Sequence, residues 1–390
     1  MRGVLLVVLV LALFACSTNK PNPPSFNHLV FLLNDSTNAT FPVTILDTAW
    51  IVHNGGEDIR LDLLTNTTLT VPVFNGTLTL DSEARGHWTD SLRPRSSDGS
   101  YRVSFKLAEL PLTGAFTPIA GSWDVWFGDQ IAPKNDSPDA QLDLRSFQNK
   151  VYGTMRTPTG DYRYLSGSFD GTDLTLQTFD GAHLFFFDAT YDGVRWINGH
   201  FYSGVHYHTS WSTRPATPRQ TNVALNELNP RKDSLLVRFI EPGGRLSKRS
   251  LVPEKGCVTV VDILGTWCPN CMDEVRLLNT LSSEKVDRLS VAFERPESTA
   301  DAYARLNAFR SEMGVGWEIV LGGRANKKDA ADAFPFLDNV VSFPTTLFIQ
   351  NDGTVHVHSG FNGPATGLQY QAEIDAFQQY ATPSISMENR

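Results

Sequence analysis

Between an apolar run, Val258–Leu264, and a helix-like run over 272–281, the chain carries Trp267-Cys268-Pro269-Asn270-Cys271. Two thiols two residues apart, at a turn from strand to helix, can close a short disulfide and reopen it. The first turn of the following helix has unpaired N–H groups and a partial positive charge, and both favour thiolate at the leading sulfur. Only two further cysteines occur, Cys16 and Cys257. A protein stapled by disulfides would carry more of them, at wider separations, so cysteine usage here points to chemistry. Two bland alternatives remain. A purely structural bridge over so small a loop would restrain little of the unfolded chain. A zinc site needs four ligands, and with no second cysteine pair it would have to recruit Cys257 and a histidine.

At 390 residues the chain is long enough for two domains with separate cores. Hydrophobic content of 41% and charged content of 19% are ordinary for a globular protein. The net charge of −9 argues against a general nucleic-acid binder, which needs clustered Lys and Arg. The basic pairs Lys248-Arg249 and Lys327-Lys328 both read as solvated surface. Met1-Arg2 and the apolar run 4–14 read as a secretory signal over residues 1–16. It ends in Leu13-Phe14-Ala15-Cys16, which resembles a bacterial lipobox, with Phe14 bulkier than usual there. The likeness implies that Cys16 becomes a lipid-carrying N-terminus, each buried methylene adding roughly 0.8 kcal/mol of membrane affinity. The alternative is an ordinary cleaved signal that discards Cys16. Residues 17–27, with Pro21, Pro23 and Pro24, then form an extended tether, and everything after Cys16 is expected outside the cytoplasm.

From 28 to 213 the pattern is β throughout, with short alternating runs between turn signals. Asn54-Gly55, Asn75-Gly76, Asp170-Gly171, Asp180-Gly181 and Asp192-Gly193 are hairpin dipeptides, because type I′ turns need positive φ at both central residues. An antiparallel sandwich or open barrel is expected, of unassigned role. His206 and His208 would share one strand face near His200, as a metal pair would, yet no carboxylate stands at ligand-like spacing. The dense aromatics read as core. Residues 214–233, with Pro215, Pro218 and Pro230, read as a linker. From 234 to 382 helices and strands alternate: a hairpin over 235–251, a strand at 257–264, the helix after Cys271, a strand at 289–293 and a helix at 299–313. A strand at 318–321, a helix at 327–334, strands at 345–349 and 354–358 and a closing helix at 370–380 follow, with a tail over 383–390. This α/β order, with parallel pairing in its first half, is that of a thioredoxin fold.

The segment Val260-Val261-Asp262-Ile263-Leu264-Gly265-Thr266-Trp267-Cys268-Pro269-Asn270-Cys271 resembles the thioredoxin-superfamily active-site segment, and is most similar to TlpA-type disulfide reductases tethered to bacterial envelopes. The hairpin before it, Val341-Ser342-Phe343-Pro344-Thr345-Thr346, and Gly360-Phe361-Asn362-Gly363-Pro364-Ala365-Thr366-Gly367 resemble one branch, lipoproteins of Bacteroidetes-type bacteria with a β-rich N-terminal region. The resemblance covers about 235–380 through specific motifs, and the first half only in general pattern. It implies a redox-active Cys268–Cys271 disulfide, with Cys268 attacking and Cys271 resolving the mixed disulfide. It also implies a cis peptide before Pro344, leaving the Phe343 backbone free to pair with an extended peptide. Trp267 would offer an apolar docking face. A buried Asp262 would have its pKa raised and exchange a proton with Cys271. TlpA-like proteins often have an uncharged residue there, so Asp262 leans toward thioredoxin itself. Glu294, at the end of the next strand, is a weaker candidate for tuning.

The resemblance therefore implies an envelope thiol–disulfide oxidoreductase, acting as a reductase on cysteine-containing envelope proteins and recharged by a membrane thiol-electron relay. No cofactor, metal or nucleic-acid partner is expected. Two alternatives remain open. A peroxiredoxin shares the fold, but wants Thr three residues before its reactive cysteine, where this chain has Gly265. A binding lipoprotein would use the β region, with the redox part incidental.

Overall fold

The computed structural model describes residues 26–93, 101–111, 116–128, 137–217, 223, 225–282 and 284–383. The expected signal, Cys16, nearly all of the tether and the tail from 384 lie outside these residues. No described helix is long and apolar enough to cross a membrane.

The β region, expected as a sandwich or open barrel, forms two closed barrels. The first runs from His28–Leu32 through six further strands to Tyr101–Ala108, and the last pairs antiparallel with the first, His28 opposite Ala108. Its strands alternate buried and exposed positions, as Tyr101–Ala108 does with Tyr101, Val103, Phe105 and Leu107 inward. Strands with a single buried face can stack as two sheets or curl on themselves, and curling removes the edges. The second barrel is a ring of eight strands plus the short Gly160–Asp161, closed where Tyr207–Pro215 pairs with Gly121–Phe127. Its interior holds Trp123, Phe169, Phe187, Trp196, Phe201 and Trp211.

The barrels are not independent. Phe179, Leu184 and Phe186, from one hairpin of the second barrel, are buried in the core of the first. The Phe179 ring lies 5.0 Å from Phe31 and 5.1 Å from Trp88. The turn between those strands is Asp180-Gly181, with Gly181 at φ 89°, a conformation that suits glycine. Asn75-Gly76 differs from its expectation. It ends a longer loop, 71–76, in which Val73 rather than Gly76 takes positive φ, at 74°.

The C-terminal domain is an eight-stranded mixed sheet with four helices. Its strand order is Asn226–Leu228, Val355–Ser359, Thr345–Ile349, Val258–Leu264, Val286–Glu294, Glu318–Arg324, Leu236–Ile240, Leu246–Ser250. The first of these lies inside the stretch read as a linker. Val258–Leu264 pairs parallel with Val286–Glu294 and antiparallel with Thr345–Ile349. It is buried at every position because helices cover both faces. Val261 and Ile263 pack with α3 (Lys327–Ala333). Val258, Val260 and Leu264 pack on the other face with α1 (Pro269–Thr280), α2 (Thr299–Glu312) and α4 (Leu368–Tyr380). By strand alternation Asp262 shares that second face, toward α1.

Candidate active site

The strand Val258–Leu264 turns into α1 through Gly265, whose carbonyl accepts the Cys268 N–H at 3.0 Å. Cys268 is the residue capping α1, with extended backbone, and its sulfur accepts the Cys271 N–H at 3.2 Å. Pro269 occupies the first helical position, where a missing N–H costs nothing. Cys268 and Cys271 are joined as a disulfide, with Cα atoms 5.3 Å apart. Cys268 is 6% exposed and Cys271 fully buried. The leading sulfur thus sits on the positive end of the helix, which stabilises a thiolate once the bond is reduced.

The Phe343–Pro344 peptide is cis. The Phe343 carbonyl oxygen lies 3.6 Å from the Cys268 sulfur, and the Phe343 ring meets Trp267 edge-on at 5.5 Å. The Trp267 indole donates to the Phe293 carbonyl at 2.9 Å, and the Arg295 guanidinium lies over its ring. Glu294 is buried. Its carboxylate accepts the Thr266 N–H at 2.8 Å and the Thr266 hydroxyl at 2.9 Å, which pins the loop entering the cysteine pair. Burial pushes its pKa up against those two hydrogen bonds.

Asp262 is 1% exposed. One of its oxygens accepts the Ser290 hydroxyl at 3.1 Å and the other has no partner. Burial raises its pKa to about 7, against the Ser290 hydrogen bond. Sequence reasoning passed over Glu274. It lies three residues after Cys271 on the same face of α1, fully buried, with neither oxygen hydrogen-bonded. Burial, then the nearby Asp262 and Glu373 carboxylates, hold its pKa well above the usual range. Glu373, on α4, accepts the Asn362 side-chain amide at 2.9 Å, and its other oxygen stands 2.9 Å from His358 Nε2. Three buried carboxylates with one histidine thus lie behind the cysteine pair. Asp262 and Glu274, with raised pKa values, can store protons close to Cys271.

The barrels also reach this site, which nothing local in the sequence announces. Arg163 of the second barrel is buried, with φ 55°. Its Nη1 donates to the Pro269 carbonyl at 3.1 Å and to the Asp273 carboxylate, while its Nη2 donates to Glu57 of the first barrel at 2.5 Å. Burial opposes its charge, but Asp273 and Glu57 more than offset this and keep it protonated. The Asp161 carbonyl accepts the Asn270 side-chain amide at 3.0 Å, and its carboxylate accepts the Gly363 N–H at 2.8 Å. Burial lifts the Asp161 pKa to about 6 against that hydrogen bond. From the first barrel, Val73 and Phe74 pack in the cluster that contains both cysteines, and Arg305 of α2 donates to the Val73 carbonyl at 2.9 Å.

The remaining candidates lie apart from the site. His200 pairs with Asp188 at 2.7 Å and stacks at 5.6 Å on His208, while His206 packs against Tyr101. Among the described residues no three His, Cys, Asp or Glu side chains converge as a metal set. Cys257 is a free, partly exposed thiol at the far end of its strand.

No family model matches the chain. The thioredoxin-like protein YneN of Bacillus subtilis is 25% identical over 114 residues, 29% of this chain, so the chain spans 62% of that relative's length. Among solved structures, a secreted disulfide oxidoreductase of Mycobacterium tuberculosis is 15% identical, with TM-score 0.28, covering 37% of this chain and 98% of its own. A thioredoxin-family thiol:disulfide interchange protein of Chlorobium tepidum is 18% identical, with TM-score 0.25, covering 43% of this chain and 99% of its own. The thioredoxin domain of a thiol-disulfide oxidoreductase from Bacteroides vulgatus is 17% identical, with TM-score 0.25, covering 41% of this chain and 99% of its own. Over those 114 residues, the chain is similar to a thioredoxin-like protein.

Proposed function

We propose that the chain is a protein-disulfide reductase of the bacterial envelope, held there by a lipid on Cys16 and working through a Cys268/Cys271 dithiol cycle. The observation that carries this reading is the cysteine pair itself. Cys268 caps α1 with its sulfur beside the Phe343 carbonyl, and Cys271 is buried in front of unpaired carboxylates. The Cys268 thiolate attacks one sulfur of a substrate disulfide. That bond breaks, the substrate's other sulfur leaves as thiolate and takes a proton, and a mixed disulfide forms. Asp262 or Glu274 accepts the proton of Cys271, which then attacks the Cys268 sulfur. The substrate leaves with two electrons gained, and the Cys268–Cys271 bond is restored. A dithiol donor, a membrane thiol relay in this reading, returns the two electrons. The Phe343 backbone and the Trp267 ring serve as the docking edge for an extended cysteine-containing segment.

Two features favour the reducing direction. Buried carboxylates behind the pair disfavour negative charge on the sulfurs, and the Pro-Asn dipeptide brings no cation between them. The test is a titration of the purified protein against dithiothreitol redox buffers, combined with a Cys271→Ser variant offered envelope proteins. A reversible two-electron couple, and mixed disulfides through Cys268 in the variant, are expected. The absence of a reversible couple, or a metal held between the two sulfurs, overturns the proposal.

A further inference from the structure

The cysteine loop is held from outside its own domain. The carbonyl of Pro269, between the two cysteines, accepts Arg163 Nη1 from the second barrel. The side chain of Asn270, the other residue between them, donates to the carbonyl of Asp161 in the same barrel. Asp273, on α1 with the cysteines, is a buried carboxylate that opposes any further negative charge at this helix end. Arg163 neutralises it and is itself anchored by Glu57 of the first barrel.

We propose that Arg163 and Asp161 are positioning residues of the redox site. The second barrel holds the Pro269-Asn270 dipeptide and cancels the Asp273 charge, so the Cys268 thiol releases its proton to water at lower pH than the C-terminal domain alone would allow. The proposal rests on the redox reading above and deepens it, since the reactivity of the pair is then set jointly by two domains. Other charged groups packed around this helix end come from all three units: Asp180 and the buried Asp161 of the second barrel face Arg163, and Asp90 and Arg93 of the first barrel face Arg295 beside Trp267. Arg276 sits on α1 beside Asp273, and Asp262 and Glu274 lie behind the disulfide. Glu294 and Arg295 follow the neighbouring strand, and Arg305 approaches from α2. All of these residues are retained in the variants below, and only Arg276 loses an ion-pair partner, in Asp273→Asn.

The experiment uses the full chain, chemically reduced, with iodoacetamide alkylation of Cys268 followed against pH by mass spectrometry. Arg163→Met is expected to raise the midpoint of the Cys268 thiol by about one pH unit, roughly a tenfold loss of thiolate below the midpoint. Arg163→Lys, which keeps the charge, is expected to titrate close to the parent. Asp273→Asn is expected to lower the midpoint, and the Arg163→Met/Asp273→Asn double variant to return it toward the parent. An Arg163→Met midpoint equal to the parent's overturns the proposal, as does an Arg163→Lys shift as large as that of Arg163→Met. Where Arg163→Met fails to fold, Asp273→Asn decides alone: a lowered midpoint supports the proposal and an unchanged one overturns it. Alkylation reads the reduced thiol whether or not the couple is reversible, so failure here is distinct from failure of the redox reading.

Discussion

Two groups of buried acids flank α1, and they differ in one respect. Behind the disulfide, Asp262 and Glu274 are buried with several oxygens unpartnered, and Glu373, which acts on Glu274, meets a single histidine. On the barrel side, the buried Asp273 and the partly buried Glu57 meet the Arg163 guanidinium directly. The same residue types thus serve opposite ends. Asp262 and Glu274, with unpaired oxygens in a dry environment, hold their protons to higher pH and can exchange them. Paired ones fix geometry, and a paired site collapses when one partner is lost.

The sharpest way to break this contrast is Arg163→Ala. It removes the guanidinium shared by the buried Asp273 and the partly buried Glu57 and should cost about 3–5 kcal/mol of unfolding free energy, read by urea denaturation. Next comes the pH profile. With its folded pKa raised to about 7, Asp262 keeps a proton over a range where the unfolded chain has already released it. The native state therefore binds more protons between about pH 4 and pH 7, and stability falls as pH rises through that window. Asp262→Asn should flatten this slope, by roughly 2–4 kcal/mol between the two ends. The same variant should slow resolution of a Cys268 mixed disulfide about a hundredfold at neutral pH, in stopped-flow. The deficit should shrink at pH 9, where Cys271 ionises unaided. The smallest effect belongs to Arg276→Ala. Arg276 also pairs with Asp273, but its side chain is 50% exposed, so its loss should cost under about 1 kcal/mol in the same denaturation experiment.

The C-terminal domain was largely legible because its signals are local. The strand at 289–293, expected from an apolar run, is Val286–Glu294, and the helix at 299–313 is Thr299–Glu312. Asp262 was expected to be buried from its apolar neighbours, and it is. Glu274 could have been found by the same logic, since a residue three past an inward cysteine shares its helix face. The barrels were legible as strands and turns but not as closed rings. Closure depends on His28–Leu32 finding Tyr101–Ala108, a pairing that no local pattern encodes. A β-rich stretch whose strands each bury one face fits a sandwich, an open barrel or a closed one. Arg163 was illegible for a related reason. Its partners come from two other units of the fold, and a lone arginine between Tyr162 and Tyr164 reads as surface.

The phenylalanine that crosses between barrels has a practical consequence for anyone dissecting this protein. Phe179 fills the space among Phe31, Phe41 and Trp88, so a fragment that stops before it would carry a hollow interior. Removing one such ring from a packed centre typically costs about 3–5 kcal/mol, enough to leave a small isolated barrel scarcely stable. The two barrels therefore behave as one inseparable casing, and useful truncations must keep that casing whole or discard it entirely.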